Sequence, residues 1–133
     1  MAQGQCNCGS VAFVIDTPIQ DVYICHCSIC RKYTGINGVA VVIANNDKFR
    51  WTRGEKQIST WINPQADWQS NFCKICGSSL PVKNDEFSMA IPAGSITEGG
   101  QSLKVAHHIW VDSKAVWDEI SDSGKQHLES FIG

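Results

Sequence analysis

Cys25-His26-Cys27-Ser28-Ile29-Cys30 puts three thiols within six residues, a density that no apolar core requires. Two smaller clusters accompany it, Cys6-Asn7-Cys8 near the N-terminus and Cys73-Lys74-Ile75-Cys76 followed by Gly77. All seven cysteines of this 133-residue chain belong to one of the three. A C-x-x-C step lets two thiolates grip one ion from a tight turn, and Gly77 is free to take the positive φ that such a turn needs. A C-x-C step does the same from a bend. Free cysteines are common in cores, but core cysteines have no reason to gather beside Gly and Ser. Thiolate-only sets select zinc or iron–sulfur, and zinc needs no redox machinery.

Seven thiols cannot all pair as disulfides, and Met1 to Cys8 has neither the basic run nor the apolar stretch of a secretory leader. The expected compartment is therefore the reducing cytoplasm, where clustered cysteines serve as metal ligands or reactive thiols. A closed structural zinc site takes four ligands, and a catalytic one takes three plus an open position. Seven divides in that way. Spacing alone permits Cys27/Cys30 with Cys73/Cys76, leaving Cys6, Cys8 and Cys25. It also permits Cys6/Cys8 with Cys73/Cys76, leaving Cys25, Cys27 and Cys30. The second is preferred, because three ligands within six residues cap one face of an ion and leave the other open.

The remaining composition is ordinary, with 43% hydrophobic and 18% charged residues. The expectation is one domain over residues 1–133, large enough to fold without covalent staples. With 11 Lys and Arg against 13 Asp and Glu, and no basic block, the chain lacks the footprint of a nucleic-acid binder. The longest clean apolar run, Val39 to Ala44, falls far short of the roughly eighteen residues of a membrane span. Short β-branched and aromatic runs predict strands at Val11–Ile15, Val22–Cys25, Val39–Ala44, Lys48–Thr52, Gln57–Trp61, Phe87–Ile91 and Leu103–Val111. Turn residues such as Asn45-Asn46-Asp47, Arg53-Gly54-Glu55 and Glu98-Gly99-Gly100 mark the joints of antiparallel sheets. Helix is expected only near the C-terminus, with Ser113 capping Lys114–Ile120 and a further turn or two in Lys125–Phe131. The fold class is mainly β with a short C-terminal helix; the strands leave the oligomeric state open.

Five ordered motifs then resemble the glutathione-dependent formaldehyde-activating enzymes, which also include the centromere protein V group. They are Cys6-Asn7-Cys8-Gly9-Ser10, Cys25-His26-Cys27-Ser28-Ile29-Cys30-Arg31-Lys32 followed by Gly35, Phe72-Cys73-Lys74-Ile75-Cys76-Gly77-Ser78, Pro92-Ala93-Gly94-Ser95-Ile96 and His108-Ile109-Trp110-Val111. The resemblance implies a β-tent of small antiparallel sheets around two zinc ions. It implies that Cys6, Cys8, Cys73 and Cys76 hold a structural ion and that Cys25, Cys27 and Cys30 hold a catalytic one. Near the C-terminus the chain departs from the family, reading Lys114-Ala115-Val116-Trp117 where a proline often precedes the tryptophan.

Four thiolates on Zn²⁺ make a poor Lewis acid, whereas three leave a site for an exchangeable ligand. The expected reaction is that of a carbon–sulfur lyase on a glutathione-type thiol adduct, S-hydroxymethylglutathione formed from formaldehyde and glutathione. Glutathione is anionic at both ends, and Arg31 and Lys32, directly after the triplet, are the candidate cationic contacts. His26, between two ligands, is expected to point away from the ion. His107 and His108 should face opposite sides of their strand, and His127 should be exposed. Two alternatives are a zinc-stabilised binding module, with the triplet closed by His26 or His108, and an enzyme of the same fold acting on another small thiol or electrophile.

Overall fold

The short β-prone runs, broken by Gly, Pro, Asn and Asp, do become strands in the computed structural model, which describes residues 1–130. In chain order these are β1 (Ala2–Gln5), β2 (Ala12–Ile15), β3 (Asp21–Cys25), β4 (Val39–Asn45), β5 (Phe49–Arg53), β6 (Ile58–Ile62), β7 (Gln69–Cys73), β8 (Ser79–Leu80), β9 (Val82–Lys83), β10 (Ser88–Pro92), β11 (Ile96–Glu98), β12 (Lys104–Ile109) and β13 (Lys125–Gln126). Among the described residues one α-helix, α1, spans Ser28–Thr34. All seven expected strands are present with ends shifted by one or two residues. The unforeseen ones are polar or very short. Ala2-Gln3-Gly4-Gln5 has weak strand propensity of its own and is held by β2 and β11 on its two sides.

Three small sheets result, in the orders β11-β1-β2-β5, β13-β12-β3-β4-β10-β9 and β6-β7-β8. Most pairings are antiparallel, as the turn signals imply, but β12 runs parallel to both β3 and β13. That pairing joins segments about eighty residues apart, so no local turn announces it. The main core lies between the first two sheets, where Phe13, Ile15, Val22, Val42 and Ile91 are buried together. A second cluster, Cys6, Val11, Cys73 and Leu80, is packed by Trp51 and Ile58 beside the third sheet.

The expected C-terminal helix is absent, and this corrects the sequence reading. After a single 3₁₀ turn at Val111–Ser113, Lys114 is extended (ψ 152°), and 114–124 form no helix. Burial explains the departure: Ala115 and Asp118 go inward, while Val116 is 98% and Trp117 66% exposed. A helix presenting Val116 and Trp117 to the core would take Asp118 away from His26, its neighbour at 3.4 Å. Residues 125–126 are strand and 127–130 form no helix, so the further helical turn expected in Lys125–Phe131 is absent too; Phe131 lies outside the described residues.

The helix that does form carries the thiol triplet. Its sequence, Ser-Ile-Cys-Arg-Lys-Tyr-Thr, mixes β-branched and aromatic residues that are mediocre helix formers. Its ends are defined instead. Cys27 is the N-cap, its sulfur accepting from Cys30 N–H at 3.3 Å, and Gly35 closes the C-terminus in the left-handed region at φ 78°.

Candidate metal centres

The sulfurs gather into two groups. Cys6, Cys8, Cys73 and Cys76 form one and Cys25, Cys27 and Cys30 the other, with the sulfurs of each group within 4.8 Å of one another. Among the described residues no histidine or carboxylate joins either set. The alternative partition, with Cys27/Cys30 beside Cys73/Cys76, does not occur. Two cysteine clusters that could hold metal ions are therefore built into the fold.

The four-thiol cluster is made from two copies of one local device. Cys8-Gly9-Ser10 and Cys76-Gly77-Ser78 each put glycine in the left-handed region, at φ 76° and 78°. In each, the serine hydroxyl lies 3.1 Å from the cysteine sulfur. The two knuckles are tied together by Asn7 N–H donating to Ser78 Oγ at 2.9 Å. Cys6 and Cys73 are buried at the base and Cys8 is exposed. The serine hydroxyls and nearby N–H groups hold the Cys8 thiol below its ordinary range and bring Cys76 down to about 5. Cys76 is thus poised as a thiolate near neutral pH. The Cys-Gly-Ser repeat is visible in the sequence and its pairing is the signal for this set.

The three-thiol cluster sits where β3 ends and α1 begins. Cys25 is the last residue of β3, paired with Val39 of β4 and Ile109 of β12; Cys27 caps the helix and Cys30 is buried in its first turn. Gly38 makes the close strand approach possible, since a Cβ there would strike the Cys25 carbonyl. Hydrogen bonds from the Cys25 and Cys30 thiols pull Cys27 far below an ordinary thiol, aided by the N–H groups of Cys30 and Ile29. The same contacts push Cys25 up to about 11 and Cys30 higher still. Without a cation the cluster stabilises one thiolate and keeps two protons. Three sulfurs packed this closely can all ionise only around a positive ion, and that donor set fits a soft or borderline divalent metal.

His26 points away from the sulfurs, as alternation predicts, and is 1% exposed. Its Nε2 lies 2.9 Å from His108 Nδ1, and His108 Nε2 lies 2.8 Å from Asp122 Oδ1. On its other side, His26 Nδ1 faces the Asn37 carbonyl at 3.2 Å and Asp118 Oδ2 at 3.4 Å. Burial and the neighbouring His108 hold His26 below its usual pKa, hence neutral. A carbonyl or carboxylate oxygen can only accept, so His26 Nδ1–H donates to the Asn37 carbonyl and His108 Nε2–H to Asp122. The His26 Nε2–His108 Nδ1 contact joins the two rings, and Asp118 Oδ2 has no hydrogen-bond partner.

Of the two candidate cations, Arg31 is half-buried and its Nε has no hydrogen-bond partner, while Lys32 is exposed. His107 and His108 do face opposite sides. His107 stacks on Tyr23, and His127, expected to be exposed, is half-buried with Nε2 3.0 Å from His107 Nδ1. Two open surface depressions of about 540 and 480 Å³ lie at residues 93–103 and 51–57, and no cysteine lines either. No helix among the described residues is long and apolar enough to cross a membrane.

Comparison with known proteins agrees with this architecture. A crystal structure of a Rhodobacter sphaeroides protein is similar in fold, with a TM-score of 0.56 at 19% identity over 73% of this chain and 88% of that one. A protein of Halomonas elongata named "Putative glutathione-dependent formaldehyde-activating enzyme" is 26% identical over 130 residues, covering 90% of this chain and 81% of the relative. The sequence model of the family described as glutathione-dependent formaldehyde-activating enzyme matches residues 1–113, which include all seven cysteines and the His26–His108 pair. The chain belongs to the glutathione-dependent formaldehyde-activating enzyme family.

Proposed function

We propose that this chain is a cytoplasmic, zinc-dependent carbon–sulfur lyase that makes or breaks the bond between glutathione and formaldehyde, residues 1–133 working as one domain. The observation that carries the reading is the coexistence of a four-thiol and a three-thiol cluster on one scaffold. Cys6, Cys8, Cys73 and Cys76 would hold a structural zinc, and Cys25, Cys27 and Cys30 a second zinc with a free position. Bound there, zinc would supply a Lewis-acidic site at which a thiol ionises near neutral pH.

The residues themselves do the rest. The Cys27 cap and the end of β3 would present the three sulfurs to the ion, and substrate would take the position they do not fill. Arg31, half-buried directly after the triplet, takes a glutathione carboxylate through its guanidinium, and exposed Lys32 adds a second positive charge at the rim. In the forward direction the glutathione sulfur forms the bond to the formaldehyde carbon, the carbonyl π pair moves onto oxygen, and that oxygen takes a proton from water. In reverse the oxygen loses the proton, the carbonyl re-forms and the pair of the carbon–sulfur bond returns to sulfur. Both directions balance without an oxidant.

The binding-module alternative needs a fourth protein ligand on the triplet. Both nitrogens of His26 are turned toward His108, Asn37 and Asp118, which favours the enzyme. The test is formation of S-hydroxymethylglutathione, followed by exchange NMR, for zinc-loaded wild type and Cys27→Ser. The expected result is acceleration over the spontaneous reaction by wild type alone. Equal rates would refute the reading; acceleration only with a different thiol or electrophile would replace the substrate and keep the site.

A further inference from the structure

The search for chemistry beyond the thiols leads to the back of the triplet. His26 is the residue between two of its three cysteines, and it is tethered at every point where it could move. Its backbone N–H donates to the Ile109 carbonyl at 2.9 Å. Its ring is buried, with Nε2 2.9 Å from His108 Nδ1. His108 in turn is fixed by its place in β12 beside Ile24 and by Asp122 Oδ1 at 2.8 Å. Asp122 is itself set by a second bond, from Gly124 N–H at 2.8 Å. A Cβ on Gly124 would stand 2.9 Å from Asp122 Oδ1 and 3.0 Å from His108 Cδ2. The 122–124 turn therefore closes on the imidazole with no room to spare.

We propose that Asp122 is a positioning residue for the three-thiol cluster: through His108 it locks the His26 ring, and with it the backbone that aims Cys25 and Cys27 at a shared ion. This deepens the reading of the triplet as a metal centre and rests on it. Three thiolates repel one another, so gathering them costs less when the chain between two of them is already held in the bound conformation. A hydrogen-bonded chain that ends on a carboxylate does this through direction and distance. Only one acceptor oxygen at the Asp122 position is needed, and its charge is not. Asp118, on the other side of His26, makes no such bond.

The test compares Asp122→Ala with Asp122→Asn in the full chain. The measurements are affinity for Co²⁺, by chelator competition, and the cobalt d–d spectrum. The bands lost in Cys27→Ser identify the triplet, and the four-thiol cluster serves as an internal gauge of folding. Asp122→Ala should weaken the triplet by about 10- to 100-fold and broaden its bands, as loss of an outer partner does in other metal sites. Asp122→Asn, whose Oδ1 accepts the same bond, should restore both. His108→Phe keeps a ring of similar size but no nitrogen, and should reproduce the loss. If Ala leaves the triplet unchanged, if Asn fails as badly as Ala, or if both clusters weaken together, the proposal is overturned. None of these readouts uses the reaction, so absence of lyase activity would count against the function proposed above and not against this positioning role.

Discussion

Gly38→Ala should damage the three-thiol cluster without entering it. Gly38 is buried where β4 begins, and a Cβ there would press on the Cys25 carbonyl oxygen, with the carbonyl carbon at 3.1 Å and Ile24 Cγ2 at 3.4 Å. Ordinary contact needs roughly 3.5 Å or more, so β3 and β4 must part by about 1 Å at Cys25. The same glycine's carbonyl accepts from Thr34 Oγ1 at 2.8 Å, which ties the end of α1 to this point; displacement reaches Cys30 as well as Cys25. Overpacking of this kind costs about 1–3 kcal/mol, or roughly 3–15 °C in Tm for a chain of this size. A metal–sulfur bond tolerates only about 0.2 Å of misplacement, so an unrelaxed shift should lower triplet affinity by about 100-fold. Thermal unfolding and cobalt competition at both clusters would measure it. Gly94→Ala, where nothing lies within 4 Å of the added carbon, is the control. Wild-type triplet affinity in Gly38→Ala would refute the reasoning, because it would mean that the β3–β4 approach does not set the position of Cys25.

Metal binding to the triplet should rise with pH: since Cys25 and Cys30 are pushed up and Cys27 is pulled down, binding near neutrality displaces two protons. Affinity should therefore grow by about two log units per pH unit, falling as pH falls, as read by competition titration across pH 6 to 8. Arg31→Met should raise KM for glutathione by about 10- to 100-fold with little change in kcat, since a charge-assisted bond to a substrate carboxylate is worth about 1.5–3 kcal/mol in both ground and transition states; unchanged KM would remove Arg31 from the site. Gly54→Ala combines a left-handed φ of 76° with a collision against the Ser10 carbonyl, whose carbon would stand 2.8 Å away. It should destabilise the fold by about 2–5 kcal/mol and loosen the Cys6–Ser10 knuckle in preference to the triplet, visible as a lower Tm and earlier loss of the four-thiol cobalt bands.

How much of this was legible beforehand differs from element to element. β2, β4 and β10 could be read directly because each is a run of β-branched or apolar residues bounded by turn formers, a signal carried by neighbours in the chain. α1 could not. Ser28–Thr34 has little helical propensity, and its N-cap is a cysteine that looks, in sequence, like a metal knuckle and nothing more. The helix exists because Cys27 satisfies its first turn and Gly35 its last. The C-terminal helix failed for the opposite reason: Lys114–Ile120 has acceptable helical residues, but burying Ala115 and Asp118 under the His26 side of the large sheet outweighs a short isolated helix, which is marginal in water.

The sequence by itself determined the donor chemistry: seven thiols in three tight groups, too clustered for a core and wrong in number for disulfides, make a set that could hold two ions, one with four ligands and one with three. Local spacing carries that information because neighbouring ligands must lie on one turn or bend. Only the tertiary structure decided which cluster joins which, bringing Cys6 and Cys8 to Cys73 and Cys76 across 65 residues, and only it brought His108 and Asp122 up behind His26. The approach of His108 to His26 comes from the parallel pairing of β12 with β3, which leaves no periodicity or turn signal in the chain. It is set by how whole strands pack, and that is why His26 could be placed away from the thiol cluster from sequence alone while its partners could not be named.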